Sequence, residues 1–195
     1  MTAILLAAGS ARRFGSQKLL ARLPDGRRVV EAAAQNLLAG AGRVIAVTGR
    51  DDRLMRVLDD CGCQVVVNAD AEEGMGTSIA AGVRASAAAE GWLIALGDMP
   101  CVRPDTIVRV LDALNDDTGI VIPTFDRLRG HPVAFAGCFG DELMMLAGDR
   151  GARGVVAAHP DRVTLLPVED AGVIADIDTP GDLQQALPDH PAAGR

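Results

Sequence analysis

The sequence predicts a layered α/β domain built on a mostly parallel sheet, and three observations carry that prediction. Short β-branched or aliphatic runs alternate with alanine-rich stretches of helical length, the pattern of repeated βα units. The connections between them are short, with no internal repeat and no linker richer in Gly, Ser or Pro than the rest. A length of 195 residues with 49% hydrophobic content suffices for one sizeable core without disulfide or metal staples.

In chain order, strands are predicted over residues 3–6, 44–48, 64–67, 92–95, 120–122, 133–135 and 163–167. Helices are predicted over residues 29–38, 53–61, 77–89, 104–114, 141–147 and 151–158. Pro104 suits the first helical position, where no backbone N–H is needed. One domain is expected over residues 1–187, with residues 188–195 a disordered tail.

The formal charge of −7 argues against a nucleic-acid partner, because binding along a phosphate backbone usually requires a basic face. Residues 1–8 run straight into a glycine loop rather than forming a leader segment, and no apolar run reaches membrane-spanning length. A cytoplasmic protein with no membrane partner is therefore expected. Cys61, Cys63, Cys101 and Cys138 lack C-x-x-C spacing and read as reduced structural thiols.

In parallel sheets ligands bind beyond the carboxyl ends of the strands, where loops and helix N-termini converge. After the first strand comes Leu6-Ala7-Ala8-Gly9-Ser10-Ala11-Arg12-Arg13-Phe14-Gly15-Ser16-Gln17-Lys18. Its tiny side chains let backbone N–H groups approach phosphates, and its cations neutralise them. It is neither the dinucleotide G-x-G-x-x-G nor the P-loop, so both of those cofactor readings lose their main support.

After the fourth strand, Leu96-Gly97-Asp98-Met99-Pro100 places a carboxylate where it can hold a hard cation against phosphate oxygens. Asp98 is the candidate metal ligand, although an aspartate here also serves as a turn former. Gly74-Met75-Gly76-Thr77-Ser78-Ile79-Ala80-Ala81-Gly82 is a glycine-rich turn entering a helix, which presents free N–H groups and hydroxyls. Ser78 can equally be an ordinary helix-start residue, and it has no His and Asp neighbours that would make it a triad nucleophile. Near the end, Asp176 and Asp178 alternate with Ile177, so both carboxylates can face a site while Ile177 packs inward. Asp178 and Thr179 can also cap a helix begun at Pro180.

The first loop resembles the L-A-[AG]-G-x-[SG]-x-R-[MF]-G-x-x-K signature of the MobA-like NTP-transferase family, whose members include enzymes that attach CMP or GMP to molybdopterin. Gly97-Asp98-Met99-Pro100 resembles the family's metal position, and Asp176-Ile177-Asp178-Thr179-Pro180-Gly181-Asp182-Leu183 its closing D-[IV]-[DN]-T-P-x-D-L segment. The resemblance runs from Thr2 to Leu187. It implies a three-layer α/β/α, Rossmann-like nucleotide-diphospho-sugar transferase fold.

By this resemblance Leu6, Ala8, Gly9 and Ser10 wrap the nucleotide, Arg13 and Lys18 neutralise its phosphates, and Gly76, Ser78 and Gly82 hold base and ribose. Arg12 has a weaker claim. Asp98 and Asp178 are expected to hold Mg²⁺, with Asp176 the fallback for the second contact. The resemblance makes Arg13, Lys18 and Asp98 the catalytic set. Ala8 stands where guanylyl relatives carry a second glycine, which favours CTP over GTP. Arg129-Gly130-His131-Pro132-Val133 and Gly148-Asp149-Arg150-Gly151-Ala152-Arg153 resemble the acceptor side of the cytidylyl branch. His131, Arg150 and Arg153 are thereby candidates for acceptor binding, although each also has an ordinary structural or surface reading.

The expected reaction moves CMP from CTP to the phosphate of molybdopterin, with a recipient molybdoenzyme as a further partner. Two anions must be held in line against their repulsion, so positioning and charge neutralisation suffice and no nucleophilic side chain is needed. The alternatives are guanylyl or other nucleotidyl transfer to a different phosphorylated acceptor, a non-catalytic cofactor carrier, and a nicotinamide oxidoreductase on the same βα architecture.

Overall fold

The computed structural model describes residues 1–9, 17–115 and 119–186. In chain order the elements are β1 (Thr2–Ala7), α1 (Gln17–Leu20), α2 (Val29–Ala41), β2 (Val44–Thr48), α3 (Asp52–Asp60), β3 (Gln64–Val67), α4 (Met75–Arg84), β4 (Gly91–Leu96), α5 (Pro104–Asp112), β5 (Ile120–Phe125), β6 (Leu128–Arg129), β7 (Val133–Ala136), α6 (Gly140–Met144), α7 (Arg153–Ala158), β8 (Val163–Pro167) and α8 (Pro180–Gln185). The tail expected over residues 188–195 lies outside the described residues, as does the loop carrying Ser10, Arg12 and Arg13.

The strands form one sheet in the order β3-β2-β1-β4-β7-β5-β6, with β8 also paired to β5. β1 pairs in parallel with β2 and β4, β2 with β3, and β5 with β8. β7 runs antiparallel to both β4 and β5, and β6 antiparallel to β5, so the sheet is mostly rather than wholly parallel.

β1 shows why the layers form. Its apolar residues are buried on both faces, as expected of a central parallel strand. Ala3, Leu5 and Ala7 pack with Val30, Leu37, Leu54, Leu58, Ile107 and Val110 of α2, α3 and α5. Ile4 turns the other way, into a cluster with Ile79, Val83, Leu143 and Val155 of α4, α6 and α7. Helices therefore cover both faces, giving the expected three-layer α/β/α architecture.

α4 ends at Arg84, short of the residue 89 that its alanine content predicted. The buried Ser86 is the reason: its hydroxyl donates to the Gly82 carbonyl at 2.9 Å and accepts the Trp92 Nε1–H at 3.0 Å. A side chain that bonds back into the last turn and across to β4 competes with further helix. No helix among the described residues is long and apolar enough to cross a membrane.

Candidate functional site

The carboxyl ends of β1 and β4 lie side by side, and two backbone bonds fix the segments around them. The Gly97 N–H donates to the Leu6 carbonyl at 2.9 Å, and the Ile177 N–H to the Asp98 carbonyl at 2.9 Å. The second bond brings a segment distant in sequence onto the tip of β4. Ile177 is buried with Leu23, Val29, Ala32 and Ala186, so Asp176 and Asp178 on either side of it turn outward together. One oxygen from each of Asp98, Asp176 and Asp178 lies within 4.8 Å of the others.

Lys18, from α1, completes the cluster. Its Nζ donates to Asp98 Oδ2 at 3.0 Å and to Asp178 Oδ1 at 2.7 Å, and its side chain is only 9% exposed. Burial disfavours the ammonium, but the hydrogen bonds and charges of Asp178 and Asp98 outweigh it and hold its pKa above the ordinary lysine value. The bond from Lys18 depresses the Asp178 carboxyl, whereas burial and the charges of Asp178 and Asp98 raise that of Asp176. Three convergent carboxylates are the oxygen donor set that a hard divalent ion takes, and a cation already stands between two of them.

The closing segment is capped without using the Asp178 side chain. Thr179 is the N-cap of α8, and Asp182 Oδ2 accepts the N–H groups of Asp178 and Thr179 at 2.9 and 2.6 Å. The capping role considered for Asp178 thus falls to Thr179 and Asp182, leaving the Asp178 carboxylate to Lys18.

A cavity of about 470 Å³ opens beside this cluster, lined by Leu6, Ala8, Gly9, Lys18, Ser78 and Asp98 among others. It brings together six of the residues anticipated from the sequence. Ser78 is buried at its wall, and its hydroxyl accepts from Asn68 Nδ2 at 3.0 Å. Asn68 also donates to Thr77 Oγ1 at 2.9 Å, so one amide at the end of β3 orients the first turn of α4.

Two of the anticipated glycines also have structural roles. A Cβ at Gly82 would lie 2.6 Å from Ile4 Cγ2 and 3.1 Å from Val47 Cγ2, so glycine lets α4 approach the sheet. Gly76 does not offer a free N–H, because it donates to the Gly148 carbonyl at 2.8 Å. That bond ties α4 to the segment before α7.

A second cavity, of about 770 Å³, adjoins the first along Met75, Leu96 and Asp149. His131, Arg150 and Arg153 all line it, together with Arg129 and an apolar floor that includes Ile94, Ile122, Val133 and Phe135. Burial pushes the His131 pKa down, against a hydrogen bond with the Ile94 backbone, and its Nδ1 has no partner among the described residues. A neutral imidazole and three arginines around an apolar hollow suit a ligand with an apolar body and anionic groups.

Asn68 and Asp149 were not singled out from the sequence. Asn68 closes Val65-Val66-Val67 and is followed by Asp70, an Asx-turn signal that marks a loop without revealing which hydroxyls the amide will reach. Asp149 sits in a recognised segment, but only the fold puts it between two cavities.

Residues 3–163 match the MobA-like NTP transferase domain. The chain belongs to this family of nucleotidyltransferases. Among relatives of the family, the molybdenum cofactor cytidylyltransferase of Escherichia coli K12 is 28% identical over 182 residues, covering 92% of this chain and 91% of that one. The nicotine blue oxidoreductase of Paenarthrobacter nicotinovorans is 30% identical over 197 residues, covering 96% of each. A manganese complex of Rv0371C from Mycobacterium tuberculosis superposes with a TM-score of 0.74 at 29% identity, over 95% of this chain and 97% of that one.

Proposed function

We propose that this MobA-like NTP transferase moves CMP from CTP to the phosphate of molybdopterin and releases pyrophosphate. One observation carries the reading: a cavity holding Gly9, Lys18, Ser78 and Asp98 shares a wall with a second one ringed by Arg129, Arg150 and Arg153. The first suits a nucleoside triphosphate and the second a bulky anionic acceptor. The relative named as a molybdenum cofactor cytidylyltransferase supports this choice of acceptor.

In this reading the backbone of Leu6, Ala8 and Gly9 encloses the triphosphate, with Ser10 and Arg13 continuing the loop. The Ala8 methyl takes room that a purine would use, which favours CTP. Asp98 and Asp178 would hold a divalent ion, Mg²⁺, which would supply charge neutralisation for the phosphates, and the manganese complex of a relative supports such a site. An acceptor phosphate oxygen forms a bond to the α-phosphorus as the bond from that phosphorus to the bridging oxygen breaks. Lys18 and Arg13 steady the charge that passes to pyrophosphate. Arg150 and Arg153 hold the acceptor's anionic groups, and neutral His131 orients its polar edge.

Pyrophosphate release with molybdopterin-bound acceptor, compared for CTP, GTP, ATP and UTP with and without Mg²⁺, tests the proposal. Release with CTP alone is expected, and release with GTP alone moves the reading to guanylyl transfer. A second reading rests on the relative named nicotine blue oxidoreductase. No release with any nucleotide, together with a nicotinamide-linked absorbance change, establishes that one instead.

A further inference from the structure

Lys18 is the only lysine among the chain's 19 lysines and arginines. Everywhere else the positive charge is a broad, planar guanidinium; here it is a compact ammonium with three donors. Its Nζ stands 3.0 Å from Asp98 Oδ2 and 2.7 Å from Asp178 Oδ1, and Asp176 completes a triad whose oxygens lie within 4.8 Å of one another. Lys18 also lines the cavity assigned to the triphosphate.

A divalent ion bound by these carboxylates needs oxygen ligands at about 2.0–2.6 Å. It cannot share that space with an ammonium already hydrogen-bonded to two of them, and the two cations repel. We propose that Lys18 is the resident counter-ion of the Asp98–Asp176–Asp178 triad, and that a divalent ion and Lys18 compete for it. Entry of the ion releases the ammonium into the cavity, where the phosphates of a nucleotide receive it. The inference deepens the nucleotidyl-transfer reading and rests on it for the nucleotide. Ion and triphosphate then favour each other's binding, because each draws Lys18 in the same direction.

The test titrates MnCl₂ alone into the unaltered protein and into Lys18→Met, following free Mn²⁺ by electron paramagnetic resonance. Lys18→Met keeps the buried stem without the charge, and circular dichroism checks its fold. Removal of the competitor is expected to tighten Mn²⁺ binding about tenfold, and adding Asp98→Asn to that variant is expected to abolish the gain. A second measurement needs no variant: acetic anhydride acetylation at Lys18, read by mass spectrometry, is slow without metal and about tenfold faster at saturating Mg²⁺.

Equal or weaker Mn²⁺ binding by a folded Lys18→Met protein overturns the proposal, as does an acetylation rate that Mg²⁺ leaves unchanged. Pyrophosphate release is scored separately. Release with an unchanged acetylation rate overturns the competition alone, whereas competition without release upholds it and overturns the transfer reading.

Discussion

Substitution of Gly74 by alanine tests whether the wall between the two cavities is held by backbone contact. Gly74 has φ +119° and ψ 174°, a region essentially confined to glycine, where another residue costs about 1–3 kcal/mol. An added Cβ would lie 2.3 Å from the Gly148 carbonyl carbon, 2.5 Å from its oxygen and 2.6 Å from the Asp149 nitrogen. All three are backbone atoms, so no rotamer change relieves the clash and the 148–149 segment must move. That movement breaks the Gly76 N–H bond to the Gly148 carbonyl, a loss of about 0.5–1.5 kcal/mol.

The sum is about 1.5–4.5 kcal/mol, or a fall in Tm of roughly 3–18 °C for a chain of this size. Gly74 and Asp149 both line the first cavity, and Asp149 also lines the second, so on the proposed reading nucleotide affinity should fall with stability. Thermal unfolding and calorimetric CTP titration measure both. Gly154→Ala in α7 is the control: its Cβ would meet nothing within 4 Å, and it should stabilise by about 0.4–1 kcal/mol. A Gly74→Ala protein that melts within about 2 °C of the unaltered chain and binds CTP equally well refutes the reasoning.

Asn68→Ala removes the donor shared by Thr77 and Ser78 and should cost about 1–3 kcal/mol, with weaker nucleotide binding that Ser78→Ala does not worsen further in the double variant. The Asp182 carboxyl is held below its ordinary range by the N–H groups of Asp178 and Thr179. A depressed carboxyl stabilises above its unfolded pKa, near 3.9, and loses that as pH falls through the folded value. Amide protection factors in α8 should therefore fall on acidification below about pH 4, and Asp182→Asn should flatten that dependence. Burial pushes the Cys63 thiol up to about 12, whereas Cys138 is exposed. At pH 8 a thiol reagent should modify Cys138 at once and Cys63 only as the protein unfolds; rapid labelling of Cys63 in the folded state would contradict its burial.

The helix–strand alternation was legible because short β-branched or aliphatic runs and alanine-rich stretches of helical length differ in local composition. Each predicted strand corresponds to one in the structure, with its limits extended or kept. The hairpin that carries β6 was not legible. Asp126 and Arg127 both adopt positive φ, at 48° and 68°, and neither belongs to the Asn-Gly or Asp-Gly pairs that announce such a turn. The antiparallel course of β7 was also hidden, because direction depends on how the chain crosses the sheet and not on the residues of the strand.

The division is the same at the site. Local chemistry marked Gly9, Lys18, Ser78, Asp98 and Asp178, because a small-residue loop, a strand-end carboxylate and an alternating Asp-Ile-Asp are visible within a few residues. The packing role of Gly82 was not visible in the same way: a glycine near a binding motif looks the same whether or not its Cβ position is filled by Ile4 and Val47. The sequence by itself determined the layered α/β class, the positions of its strands and the chemical types available at the strand ends. Only the tertiary structure decided that Lys18 bridges Asp98 and Asp178, and that Asp149 stands between two cavities. Periodicity is a property of neighbours along the chain, but the distance between charges 80 or 160 residues apart is set only when the core closes and the Ile177 N–H finds the Asp98 carbonyl.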